Sequence, residues 1–137
     1  MTTFDPQALA AQALEARRWA YSPYSRYAVG AALLAASGRL YDGCNIENAA
    51  YPVTVCAERV AVFKAVSEGE REFVAIAVAT ENGGFPCGSC RQVLAEFGLD
   101  VSVLVVDGQG TIVRQTTVRD LLPDSFGPAH LLPGEPR

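Results

Sequence analysis

Apolar residues change their period along the chain, and each change marks an element. Leu9, Ala13, Ala16 and Ala20 recur on one helical face behind Asp5-Pro6, an N-cap and first-turn pair, which predicts a helix over 6–20. Tyr21-Ser22-Pro23-Tyr24-Ser25 breaks it. Residues 27–35 then read as a largely buried strand, turned at Ser37-Gly38 into a second strand over 39–44. Val55, Val62, Phe63 and Val66, between an N-cap at Thr54 and a stop at Gly69, predict a helix over 55–68. The stretch 73–79 is an unbroken apolar run of strand length, as expected of a strand covered on both faces. Gly83-Gly84 leads to a helix that starts at Pro86 and ends at Gly98. Residues 101–106 predict another buried strand, Asp107-Gly108-Gln109-Gly110 a turn, and 111–116 an alternating edge strand. A short helix closes at Leu121, Leu122 and Pro123, ahead of a Pro/Gly-rich tail. Strand-helix-strand units require parallel crossovers, so the expected fold class is α/β: a three-layer α/β/α domain with a mixed five-stranded sheet. One domain over 1–137 is expected, with its core at about 22–126.

Composition adds two constraints. Half of the 137 residues are apolar and only 19% are charged, so part of the surface is expected to lie against other subunits. The formal charge of -4, with no run of Lys or Arg, argues against a nucleic-acid or membrane-surface partner. No stretch approaches the roughly 20 apolar residues of a spanning helix. Met1-Thr2-Thr3-Phe4-Asp5 has neither a basic start nor a long apolar core, so the expected compartment is the cytoplasm, where cysteines stay reduced.

The cysteines carry the chemistry. Cys87 and Cys90, spaced i, i+3, place two thiols on one face of a helical turn, and Cys56 supplies a third at the start of another helix. A helix N-terminus lowers a thiol's pKa and so favours the thiolate a metal needs. Three ligands and an open position are the arithmetic of a catalytic zinc, one per subunit. Glu58, two residues after Cys56, can converge on the same point and move a proton there. Three thiols, a non-ligand Glu and a Pro-Cys-x-x-Cys run are the mark of zinc nucleobase deaminases. Cys44 continues an apolar strand and reads as core. A fourth thiolate from it would close the site and make a non-catalytic zinc-stapled module, the reading from a different class.

Thr54-Val55-Cys56-Ala57-Glu58-Arg59, with Pro86-Cys87-Gly88-Ser89-Cys90-Arg91-Gln92 and Gly43-Cys44-Asn45-Ile46-Glu47-Asn48-Ala49, closely resembles the small homotetrameric cytidine deaminases over about residues 22–126. The resemblance implies zinc on Cys56, Cys87 and Cys90 and proton transfer by Glu58. It also implies ribose hydroxyls held by Asn45 and Glu47, and a pyrimidine beside Tyr27, where the family more usually has Phe. Ala57 falls among the substrate-binding positions. Ala49, Tyr51 and Phe126 are expected to reach into neighbouring subunits' sites, so that a monomer would hold an incomplete pocket. The implied reaction is deamination of cytidine and 2′-deoxycytidine; a related deaminase of a cytosine-containing antibiotic nucleoside is the alternative within the family. Three thiolates against a divalent ion leave excess negative charge, which weakens its acidity as a Lewis centre, and Arg59 is the candidate cation to hydrogen-bond a ligand sulfur.

Overall fold

The apolar run Phe73–Ala79 lies at the centre of the sheet in the computed structural model, which describes residues 3–134; Met1, Thr2 and the last three residues of the tail lie outside the described residues. The strands are β1 (Gly30–Ala35), β2 (Leu40–Cys44), β3 (Phe73–Ala79), β4 (Ser102–Val106) and β5 (Ile112–Thr117), in the spatial order β2-β1-β3-β4-β5. The helices are α1 (Pro6–Ala16), α2 (Ala57–Ser67), α3 (Gly88–Phe97) and the single turn α4 (Val118–Leu121). β1 pairs antiparallel with both β2 and β3, so those two run the same way on either side of it, while β3 and β4 pair in parallel. Both strand-helix-strand units therefore return in parallel, as their connections require. β5 closes the far edge antiparallel to β4.

Side chains alternate across a strand, which explains why β3 has no polar position. Ile76 and Val78 join Leu33, Val103 and Val105 on one face, against Ala61 and Ala65 of α2 and Leu94 of α3. Ala75, Ala77 and Ala79 join Ala32, Leu104 and Val106 on the other, against Leu9, Ala10 and Ala13 of α1. The result is the mixed five-stranded sheet between helical layers. Small residues let these layers approach closely. A Cβ on Gly43 of β2 would sit 2.4 Å from the Ala57 carbonyl oxygen, so α2 rests on bare backbone there.

α3 starts at Gly88 behind Cys87 as its N-cap, two residues after the expected start at Pro86, and three further boundaries differ from the sequence expectation for a local reason. α1 ends at Ala16 and continues as a 3-10 turn over Arg17–Trp19 instead of running on to residue 20. Residues 27–29 are not strand, because the Asn45 side chain takes their backbone groups: Val29 N–H donates to Asn45 Oδ1 at 2.9 Å and Asn45 Nδ2 donates to Tyr27 O at 2.8 Å. The N-cap of α2 is Cys56, not Thr54, whose hydroxyl accepts from Asn48 N–H at 3.2 Å. Phe63 is exposed: the sheet-facing stripe of α2 is Ala57, Ala61, Ala65 and Val62, with the helix backbone at Ala57 and Ala61 lying against Gly43.

Candidate active site

β2 and β3 end on the same side of the sheet, and the loops leaving them open into α2 and α3. That parallel return is what brings two distant cysteine motifs together, at the carboxyl ends of the strands where α/β sheets hold ligands. Cys56 caps α2 and Cys87 caps α3, neither with a side-chain capping bond, and Cys90 lies in the first turn of α3. Their thiols are thus free to face one another. The sulfurs of Cys56 and Cys87 are 3.7 Å apart and those of Cys87 and Cys90 3.6 Å, and all three lie within 4.8 Å of one another. Thiolates held tetrahedrally at about 2.3 Å from zinc would stand ~3.8 Å apart, which the Cys56–Cys87 and Cys87–Cys90 separations match.

The electrostatics suit a cation. The Cys56 thiol is drawn down to about 5, first by its hydrogen bond with Cys90 and then by Arg59. Cys90, fully buried, is pushed up by the same bond and by burial, so negative charge gathers first on Cys56. Arg59 Nη2 donates to Cys56 Sγ at 3.3 Å, while Arg59 Nε is buried with no protein partner. Cys44 lies outside the trio: its thiol donates to Trp19 O at 3.3 Å and burial raises its pKa. A fourth thiolate is therefore not presented to the trio.

Glu58, in the first turn of α2, is 4% exposed. Burial holds its carboxyl above the usual range, and the charge on Cys56 adds to this; the Cys90 bond and Arg59 act the other way. A buried carboxyl with a raised pKa is the kind of group that takes up and returns a proton in an active site.

Of the remaining predicted residues, Glu47 and Tyr51 share one cavity and the others lie elsewhere. Glu47 Oε1 accepts from Tyr24 N–H at 2.9 Å and Ser25 N–H at 3.1 Å, and its Oε2 accepts from the Ser25 hydroxyl, which together lower its pKa. Glu47, Tyr24, Ser25, Tyr51, Asn48 and Thr54 line a cavity of about 400 Å³. Tyr51 is 70% exposed and meets Tyr24 edge-on at 5.9 Å. Asn45 is buried and spends its amide on the 27–29 backbone, and Ala57 is wholly buried. Ala49 is exposed, as is Phe126 at 58%, whose ring stacks on His130 at 5.0 Å. Gln92 Nε2 holds Phe126 O at 2.8 Å, and Arg91 bonds both Pro86 O and Leu121 O, tying α3 to the C-terminal segment. Three participants had no role in the sequence reading: Ser25, Arg91 and Asn82, whose Oδ1 accepts from the Tyr27 hydroxyl at 2.6 Å. The adjacency of Arg91 to Cys90, and of Ser25 to the Tyr-Ser-Pro-Tyr break, was the available signal.

The profile of the cytidine and deoxycytidylate deaminase zinc-binding region matches residues 4–106. The chain is 52% identical over 125 residues to the cytidine deaminase of Sporosarcina psychrophila, covering 89% of this chain and 91% of that one. It is 44% identical over 129 residues to the cytidine deaminase of Mycobacterium tuberculosis, covering 93% of each. Its fold superposes on the crystal structure of cytidine deaminase from Burkholderia pseudomallei with a TM-score of 0.84 at 46% identity, covering 92% of this chain and all of that one. With the profile spanning most of the chain and relatives alike over nearly their whole length, this chain belongs to the cytidine deaminase family.

Proposed function

We propose that this enzyme hydrolyses cytidine and 2′-deoxycytidine to uridine and 2′-deoxyuridine, releasing ammonia, in the salvage of pyrimidine nucleosides. The observation that carries the reading is a buried carboxyl, Glu58, in the first turn of the helix that Cys56 caps, beside a cluster of three cysteine sulfurs within 4.8 Å of one another. Cys56, Cys87 and Cys90 would hold the ion, one per subunit; when bound it supplies a Lewis-acid position that makes a water acidic. Glu58 takes one proton of the water that adds to C4 and gives it to N3, then takes the proton of the new C4 hydroxyl and passes it to the amine as the C4–N bond breaks and the C4 carbonyl forms. One water enters and one ammonia leaves, with Glu58 returned to its starting state. Burial of Glu58 favours this duty because a carboxyl with a raised pKa both accepts and returns a proton readily.

Glu47 and Asn45 position the ribose, with Tyr27 beside the base and Arg59 offsetting the excess charge of the thiolates through Cys56. The homotetramer with shared sites is part of the proposal. It is supported by the exposed Tyr51, Val53, Phe63 and Phe126, large apolar side chains left facing outward. A cytoplasmic setting agrees with the four free cysteines, three of which must stay reduced to bind metal. Elemental analysis together with the loss of cytidine absorbance tests the core of the reading: about one zinc per chain with turnover is expected, and a zinc-loaded protein inert toward cytidine would overturn it. Sedimentation of the zinc-loaded protein tests the assembly, and a monomer with full activity would remove the shared-site element.

A further inference from the structure

We propose that the Tyr27 hydroxyl, Asn82 and Gly84 form a latch that sets the loop carrying Cys87, and through it the tightness with which the nucleoside is held. The proposal rests on the deaminase reading for its substrate. Tyr27 is tied at three points. Its N–H donates to Ser25 Oγ at 3.0 Å, its carbonyl accepts from Asn45 Nδ2, and its hydroxyl donates to Asn82 Oδ1 at 2.6 Å. Ser25 is in turn held by Glu47. One residue thus joins the rim of the cavity around Glu47 to the loop that leaves β3 and runs through Phe85 and Pro86 to Cys87.

That loop is shaped around the phenol. Gly84 N–H donates to the Oγ1 of buried Thr80 at 2.6 Å, which folds the loop back on the end of β3. A Cβ on Gly84 would lie 2.5 Å from the Tyr27 hydroxyl oxygen, with its next contacts at an ordinary 3.6 Å, and the Gly84 backbone is in a region open to any residue. The glycine is therefore demanded by the hydroxyl alone. A phenylalanine at 27 would offer the same ring but neither bond the Asn82 amide nor need the space at 84. Asn82 and Gly84 are positioning residues on this account: with the latch closed the loop is ordered before substrate arrives, and without it the loop must be ordered on binding, which weakens binding while leaving the trio and Glu58 in place.

The experiment uses the zinc-loaded enzyme and four variants. Tyr27→Phe and Asn82→Ala should each raise KM for cytidine about fivefold with kcat within about twofold, and the double variant should match Asn82→Ala alone, since both remove the phenol–amide bond and Asn82→Ala also removes the long 3.5 Å contact from the Thr80 hydroxyl. Gly84→Ala should raise KM by more than either, and Tyr27→Phe should rescue it to the level of Tyr27→Phe alone. Amide exchange over residues 80–86 reads the latch without substrate, and should quicken in Tyr27→Phe and Asn82→Ala with the melting temperature little changed. Additive KM effects, a Gly84→Ala defect that Tyr27→Phe leaves intact, or exchange equal to wild type would each overturn the latch. A wild-type enzyme that does not turn over cytidine would sink the substrate reading instead, and the exchange comparison would still decide whether the latch exists.

Discussion

Replacing Arg59 by Gln removes a full charge from one end of a 3.3 Å contact with Cys56. At that distance and an effective dielectric constant of about 20, the attraction between guanidinium and thiolate is ~5 kcal/mol before the cost of bringing the guanidinium partly out of water. A charge-assisted hydrogen bond nets about 1.5–3 kcal/mol after that cost, and at ~1.4 kcal/mol per decade this amounts to about 10- to 100-fold in zinc affinity. Groups that hydrogen-bond metal ligands show losses of the same order when changed. The stability of the metal-free fold should move far less. Arg59 Nε is buried without a protein partner, so the substitution also relieves an unpaired donor that costs about 1–3 kcal/mol, roughly cancelling the lost bond. The expected outcome is a separation: zinc affinity, measured by competition with a chromophoric chelator, falls 10- to 100-fold while the melting temperature of the metal-free protein stays within a few degrees. Arg59→Lys, which keeps the charge but not the planar fork, should fall between. Affinity within about twofold of wild type, or a large fall in melting temperature with affinity intact, would refute the electrostatic role and leave Arg59 as packing.

Glu58→Gln should keep its zinc and its fold and lose about 10²- to 10⁴-fold in turnover, the usual worth of a positioned proton carrier; a rate within tenfold of wild type would show that another group moves the proton. Cys87→Ser and Cys90→Ser should lose zinc by elemental analysis whereas Cys44→Ser retains it, because the Cys44 thiol is bonded to Trp19 O outside the trio. Gly43→Ala should destabilise the fold by about 2 kcal/mol in denaturant titration, since a Cβ 2.4 Å from Ala57 O forces α2 off the sheet; an unchanged midpoint would show that the helix can yield. Cytidine 3′-monophosphate and a cytosine-containing oligonucleotide should be turned over at ~10⁴-fold lower efficiency than cytidine, because a 3′-phosphate removes the hydroxyl donor and faces the Glu47 carboxylate. Hydrogen bonds from Ser25 and Tyr24 favour the charged form of Glu47, so its folded pKa is depressed. Its stabilisation is complete above the ordinary value of about 4.3 and is lost as pH falls through the lower folded value, so Glu47→Gln should flatten the acid side of the stability profile.

How much of this was legible beforehand depends on whether a feature is carried by neighbours in the chain or by contacts across it. The central strands announced themselves through unbroken apolar runs, because a strand covered on both faces has no position left for a polar side chain, as at Phe73–Ala79. The thiol trio was equally plain: Cys87 and Cys90 are spaced by helix geometry, and Cys56 stands two residues before a carboxylate that has no other evident reason to be there. Tertiary structure decided the rest. Nothing in the local pattern tells that the Asn45 amide replaces a strand ladder at residues 27–29, since the partners are separated by a hairpin. Phe63 fits a helical apolar face by periodicity, yet faces outward, because α2 lies with its backbone at Ala57 and Ala61 against Gly43 of another strand and so turns Ala57, Ala61, Val62 and Ala65 to the sheet. Cys44 and Cys56 have the same side chain and lie on either side of one loop; only the fold turns one thiol to Trp19 and the other to its two partners. The raised pKa of Glu58 likewise comes from burial that the folded layers create, so the sequence named the carboxylate and the packing around it supplied the chemistry.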